Sequence, residues 1–261
     1  MLINVFPKTL LGLARQTFTH RRLQPVLQPL VSVDTYRRAS QLNPTERQLL
    51  HPDELAEALR FSQKRRQSEW LTVRICAKQA ALHYSGGTGF APPRLPPREI
   101  RIVKATDGRP SLGGRLPQEL QHADLALSHG AGYGLALVAD SRCGIDIQEP
   151  RDGILRVREK FCTAEEEEVL KNGLGELTEL HALTLLWTVK EAGKKALSHR
   201  RMPGFLELFL SDVEPHAAGW VATLLPSSRQ YQKYPQSIQV VAELYDQYGL
   251  ALCLAGERID A

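Results

Sequence analysis

The chain has 261 residues, enough for one large domain or two small lobes with a real core. Hydrophobic residues at 43% and charged residues at 24% are ordinary for a folded soluble protein and exclude a low-complexity chain. The net charge of +4 suits an acidic protein partner or a polyphosphate ligand, and is too small for a dedicated nucleic-acid module.

Residues 1–40 read as an N-terminal extension. From Met1 to Val33 there is no acid, while Lys8, Arg15, Arg21 and Arg22 are present. An organellar targeting segment has that composition. So does an ordinary extension whose Thr9–Leu13 segment packs on the body, which is the preferred reading. Pro7 and Lys8 interrupt any secretory apolar run, and no stretch approaches the roughly 20 apolar residues of a membrane span.

Asn43-Pro44-Thr45-Glu46 predicts a helix start, with the run continuing to Arg60. A second helix is predicted over Ser62–Tyr84, with Lys64, Arg65 and Arg66 at its head and Gly86-Gly87-Thr88-Gly89 ending it. Read alone, that basic cluster is a solvated helix face. Ala91–Pro97 is a proline-rich loop, Glu99–Lys104 a short strand, and Asp107-Gly108-Arg109-Pro110 a turn. Leu125–His129 predicts a strand ending in Ser128-His129. Tyr133–Ala139 predicts the next, with Asp140-Ser141-Arg142 as a hairpin turn into Cys143.

Gly144-Ile145-Asp146-Ile147-Gln148 is an apolar strand with an acid in its middle. Alternation places Ile145 and Ile147 on one face and Asp146 with Gln148 on the other. An Asp there either ends an edge strand or offers oxygen to a cation. Asp152–Lys160 reads as a basic helical segment, and Thr163 with Glu166 as a capping box. In Trp187–Lys195, the residues Trp187, Glu191 and Lys195 fall on one helix face. Leucines and alanines cover the rest, so the helix is expected to be buried and its charges to be paired or used. Phe205–Val213, Trp220–Leu225, Ile238–Leu244 and Leu250–Leu254 predict a four-stranded meander. The four cysteines (Cys76, Cys143, Cys162 and Cys253) lack disulfide or zinc spacing, which fits a reducing cytoplasm.

Gly-Ile-Asp-Ile, then Thr-x-x-Glu, then Trp-x-x-Lys-Glu-x-x-x-Lys, in that order, resembles the 4′-phosphopantetheinyl transferase superfamily, in its larger two-lobed class typified by the surfactin-synthetase activator. The resemblance implies an α+β fold of two similar lobes (41–139 and 140–261) related by a pseudo-twofold, with coenzyme A in the cleft between them. It implies an enzyme that moves 4′-phosphopantetheine from coenzyme A to a serine of an acyl or peptidyl carrier protein, with Mg2+, releasing 3′,5′-ADP. By the same resemblance Asp146, Gln148 and Glu191 are metal ligands, Glu166 the base and Lys195 the catalytic cation. Glu165 stands beside Glu166, and the choice between them is open. Lys64, Arg65, Arg66, Gly108, Arg109, Pro110, Ser128 and His129 are implied in coenzyme A binding. A monomer is implied, with neither membrane nor nucleic acid as partner. The basic loop around Arg200-Arg201 is a candidate carrier contact. A member that binds coenzyme A or a carrier without efficient transfer is the alternative.

The family has an acid where this chain has Gln148. An amide oxygen can ligate a hard cation but brings no charge. Gln148→Glu is therefore expected to lower the Mg2+ concentration needed for half-maximal turnover; an unchanged requirement in a Mg2+ titration contradicts this role.

Overall fold

The computed structural model describes residues 6–29, 42–86, 96–106, 108–130, 132–199, 201–227 and 236–258. Gly87, Thr88, Gly89, Asp107 and Arg200 of the predicted turns and loop lie outside them. The chain forms two compact units, one from residues 22–140 and the other from 7–21 and 141–258. Both are mixed α/β with antiparallel sheets.

In the first unit a three-stranded sheet has the order β1 (Leu23–Pro29), β5 (Tyr133–Ala139), β4 (Asp124–Gly130). The long helix α4 (Lys64–Tyr84) packs across it, burying Cys76, Ala77, Ala80 and Ala81 against Val26, Ala136 and Val138. Small residues on that helix face permit the close approach. The hairpin of β2 (Ile100–Lys104) and β3 (Pro110–Gly114) adds Ile100 and Ile102 to the same core.

The helix predicted from Asn43 to Arg60 is two helices, α2 (Pro44–Leu49) and α3 (Pro52–Leu59). Pro52 has no N–H to continue the first helix and a φ suited to starting the second. Each begins with a capping box, Asn43 with Glu46 and His51 with Glu54. Glu54 does more than cap. Its carboxylate accepts from His51 N at 2.9 Å and Ile102 N at 3.1 Å, and pairs with the wholly buried Lys78 of α4 at 2.7 Å. Lys78 also donates to the Ile100 carbonyl.

The second unit holds a five-stranded sheet in the order β6 (Ser141–Gln148), β10 (Tyr248–Arg258), β9 (Ile238–Tyr245), β8 (Gly219–Pro226), β7 (Leu208–His216). The four C-terminal strands are the predicted meander. The turn expected at Asp140-Ser141-Arg142 does not make a hairpin: β5 pairs with β1 and β4, whereas β6 pairs with β10. Two adjacent apolar strands in sequence mimic a hairpin, and only long-range register distinguishes them. Between β6 and β7 run α5 (Asp152–Arg156), α6 (Ala164–Leu174) and α7 (Glu179–Leu197). The segment predicted helical to Lys160 is α5 followed by a 3-10 turn at Arg158–Lys160.

The N-terminal segment is divided, with β1 in the first unit and α1 (Lys8–Thr17) in the second. There α1 packs on β8 and β9, burying Leu10, Leu13 and Ala14. Its Thr9 hydroxyl donates at 3.0 Å to Glu243 of β9, a carboxylate only 8% exposed. Burial pushes the Glu243 carboxyl up from its ordinary 4.5 to about 6, and the Thr9 bond offsets part of this. The folded state therefore binds more protons than the unfolded state between those values. The Glu243 contribution is most favourable below pH 4.5 and is lost as pH rises through about 6. Glu243→Gln is expected to raise stability above pH 6.5 by on the order of 2 kcal/mol and to leave it little changed at pH 4. Urea unfolding of both proteins across pH 4–8 measures the difference.

Candidate functional site

Strand β6 and helix α7 place the metal-type residues. Gly144, Asp146 and Gln148 share the β6 face that α7 covers, while Ile145 and Ile147 are buried on the other. The contact is close: a Cβ on Gly144 would stand 1.9 Å from the Ala192 carbonyl oxygen. One on Gly249, the cross-strand partner of Gln148, would stand 2.6 Å from Thr188 Oγ1. Glu191 lies on the stretch of α7 between these two crossings, one turn before Lys195.

Lys195 Nζ donates to Asp146 Oδ1 at 2.7 Å and to the Ile145 carbonyl at 2.9 Å. Glu191 Oε1 is held at 2.6 Å by Lys194. The Gln148 amide donates to the Glu149 carbonyl at 3.2 Å. Thus Glu191 and Lys195 each have another ionic partner, and neither makes the Glu191–Lys195 pair that their four-residue spacing allows. No group of three or more His, Cys, Asp or Glu side chains suited to a metal occurs among the described residues. With Gln148 in the third position, the donors are two carboxylates and one amide. That set fits a hard cation that keeps several waters, as Mg2+ does, and not a fully protein-caged ion.

Glu166 is placed otherwise than expected. It is completely buried, and Thr163 caps α6 through the predicted box. Glu166 Oε2 accepts from Thr163 N at 2.9 Å. Its Oε1 accepts from Leu210 N and pairs with Lys190 Nζ, both at 2.6 Å. Three donors and no solvent exposure account for this carboxylate as the cap that the Thr-x-x-Glu pattern predicts. Glu165 is exposed, but its own backbone N–H and the Thr163 hydroxyl hold its carboxyl below the ordinary range, which weakens it as a base.

Lys190 had no assigned role in the sequence, yet it is wholly buried. It donates to Glu166 and to the carbonyls of Phe161 (2.6 Å) and Phe205 (3.3 Å). Burial lowers its pKa, with Glu166 opposing. The rings of Phe161 and Phe205, whose carbonyls it meets, cluster with Trp187, their centroids 4.4–6.0 Å apart. The clue was a lysine on a helix apolar nearly all round.

In the first unit the implied coenzyme A residues fall into two groups. Lys64, Arg65 and Arg66 head α4; Arg65 pairs with Glu69 at 2.9 Å, and Arg66 stands 5.9 Å from the Phe61 ring centroid. The other oxygen of Glu69 lies 3.8 Å from Nδ1 of the exposed His129, so Glu69 joins the basic helix start to the end of β4. Ser128, next to it, is buried. Gly108, at φ +87°, turns the chain so that Ala105 N bonds to the Arg109 carbonyl, and Pro110 opens β3. Arg109 is 8% exposed and bound to Asp124 at 2.7 Å. Asp124 begins β4 and His129 nearly ends it, a separation of roughly 17 Å along the strand at 3.4 Å per residue. The structure does not bring Arg109 and His129 together.

Residues 142–253 match a family model, ACPS. The match is to the 4′-phosphopantetheinyl transferase superfamily. It spans β6 through most of β10 and includes Asp146, Gln148, Glu166, Glu191 and Lys195. The resemblance carried by the motifs is thereby borne out at superfamily level. No curated protein matches the chain. Among solved structures, the chain is similar to a Chronobacterium ammoniagenes ACPS–CoA complex (23% identity, TM-score 0.34, covering 46% of this chain and 95% of that one). It is also similar to a Bacillus anthracis holo-(acyl-carrier-protein) synthase in complex with CoA (3′,5′-ADP) (20%, 0.34, 45% and 92%), and to a Thermotoga maritima holo-[acyl-carrier-protein] synthase (17%, 0.30, 52% and 73%).

A cavity of about 400 Å3 between α6 and α7, walled by Leu170, Leu174, Leu177 and Leu183, lies apart from these residues and is lined by none of them. The buried pair is a stronger constraint. Lys190→Met leaves Glu166 charged and unpaired, and is expected to cost about 3–5 kcal/mol of unfolding free energy. Adding Glu166→Gln should restore part of that loss. Urea denaturation of the single and double variants reads both effects.

Proposed function

We propose that the protein transfers 4′-phosphopantetheine from coenzyme A to a serine of an apo acyl or peptidyl carrier protein, releasing 3′,5′-ADP. The observation that carries this reading is the superfamily match over residues 142–253, which contains Asp146 and Glu191 on contacting elements with Lys195 on Asp146. The serine oxygen attacks the phosphorus bearing the pantetheine arm, the bond to the 3′,5′-ADP oxygen breaks, and the serine proton leaves. Asp146, Glu191 and the Gln148 carbonyl would hold Mg2+, which when bound supplies charge neutralisation at the pyrophosphate. Lys195, a half-buried point charge, would balance phosphate oxygens. The serine proton leaves to solvent as the new ester bond forms, since Glu166 is enclosed.

The larger, two-lobed class is part of this reading. Its support is a repeated order of elements: in each unit a first strand pairs with the last, β1 with β5 and β6 with β10, and the intervening chain is helical before it is strand. A coenzyme A site between similar lobes, using Lys64–Arg66, the Gly108–Pro110 turn and Ser128-His129, belongs to the same proposal, as do a monomeric state and a cytoplasmic setting. Among the described residues no helix is long and apolar enough to cross a membrane. The neutral Gln148 favours one competing reading, a member that binds coenzyme A or a carrier without efficient transfer.

Intact mass spectrometry of an apo acyl carrier protein incubated with this protein, coenzyme A and Mg2+ tests the proposal. The expected product is heavier by on the order of 340 Da, a single modified serine. Asp146→Ala and Glu191→Ala are expected to slow its formation at least about 100-fold, the loss typical of a charge-stabilising group. Coenzyme A binding with no mass gain on several unrelated carriers establishes the competing reading instead.

A further inference from the structure

Both carboxylates of the proposed metal set already carry a lysine. Asp146 has Lys195 at 2.7 Å, and Glu191 has Lys194 at 2.6 Å. Gln148 adds no charge, so these five side chains sum to zero. Lys194 is not a residue of the Trp-x-x-Lys-Glu-x-x-x-Lys pattern, and it is not a loose surface cation. It is 9% exposed, and its ammonium stands 3.7 Å from the centroid of the Phe205 ring. That ring packs in turn on Trp187 at 4.4 Å. An ammonium held between a carboxylate one turn back and an aromatic face is doubly satisfied in place.

We propose that Lys194 makes divalent-cation binding at this site conditional on an anionic pyrophosphate ligand. The inference rests on the metal-site reading above. In the protein alone, a divalent ion approaching Asp146 and Glu191 meets two ammonium groups at similar range, and repulsion offsets attraction. A pyrophosphate supplies oxygens to which both lysines can turn, and the carboxylates then face the cation with their full charge. Cation and anion therefore strengthen each other's binding by the same factor. With an acid at position 148 and no lysine at 194, the same set would carry a net charge of −2 and hold the cation before any substrate arrived.

The test uses Mn2+ as the probe and the full-length protein, with the free ion read by electron paramagnetic resonance. Without coenzyme A, Lys194→Met and Lys194→Gln are expected to bind Mn2+ about tenfold more tightly than the unsubstituted protein, the effect of removing one nearby positive charge. Lys194→Arg, which keeps the cation, should stay within about twofold. Coenzyme A, corrected for its own Mn2+ binding, should tighten the unsubstituted protein more than either neutral variant. Asp146→Asn identifies the site. If it weakens Mn2+ binding but neither neutral variant tightens it, the Lys194 inference is wrong while the metal-site reading stands. If Asp146→Asn changes nothing in either background, the metal-site reading itself fails, and this inference with it.

Discussion

A buried glutamate–lysine pair fixes the frame of each unit. In the second unit Glu166 closes the first turn of α6, binds the backbone of β7 and pairs with Lys190 of α7. One carboxylate thus ties together a helix start, a strand and the helix that carries Glu191. In the first unit Glu54 does the same for α3, β2 and α4 through Lys78. Burying two charges is costly and offers little net stability over apolar packing. What it does supply is direction: every oxygen has an assigned donor, so the three elements have one mutual arrangement that satisfies them all.

That arrangement explains how a helix nearly apolar all round can present charge at one edge. Lys190 faces inward and is consumed by Glu166 and the carbonyls of Phe161 and Phe205. Lys194 and Lys195, on the next turn, reach the half-buried rim, where Glu191 and Asp146 meet them. Exposure rises along one helix from Lys190 through Lys194 to Lys195.

Much of this was legible from pattern alone. The period of two in Gly144–Gln148 placed Asp146 with Gln148 on one strand face, and the near-four spacing in Trp187–Lys195 placed Glu191 with Lys195 on one helix face, because both periods are local properties of the backbone; that the two faces meet is a matter of packing. The C-terminal strands were legible for the same reason. The break at Pro52 should have been read, since proline's missing N–H is also local. Pairing of β6 with β10 rather than β5 could not be, because it depends on register across about a hundred residues. Glu166 shows a subtler limit. A capping box and a catalytic glutamate look identical in sequence, and the two partners that enclose this carboxylate, Leu210 and Lys190, are both remote in the chain.

Gly144 has no functional group, yet it sets the spacing of the site. With the Ala192 carbonyl 1.9 Å from where its Cβ would lie, α7 rests directly on the strand backbone. Any side chain there would lift the helix, and Glu191 would move away from Asp146 without either residue being altered. The distance between the two carboxylates is therefore encoded by an absence. In the proposed cation site, drift at this one position would change the size of ion the pair could span, so a choice of cation there would be inherited partly through a hydrogen atom.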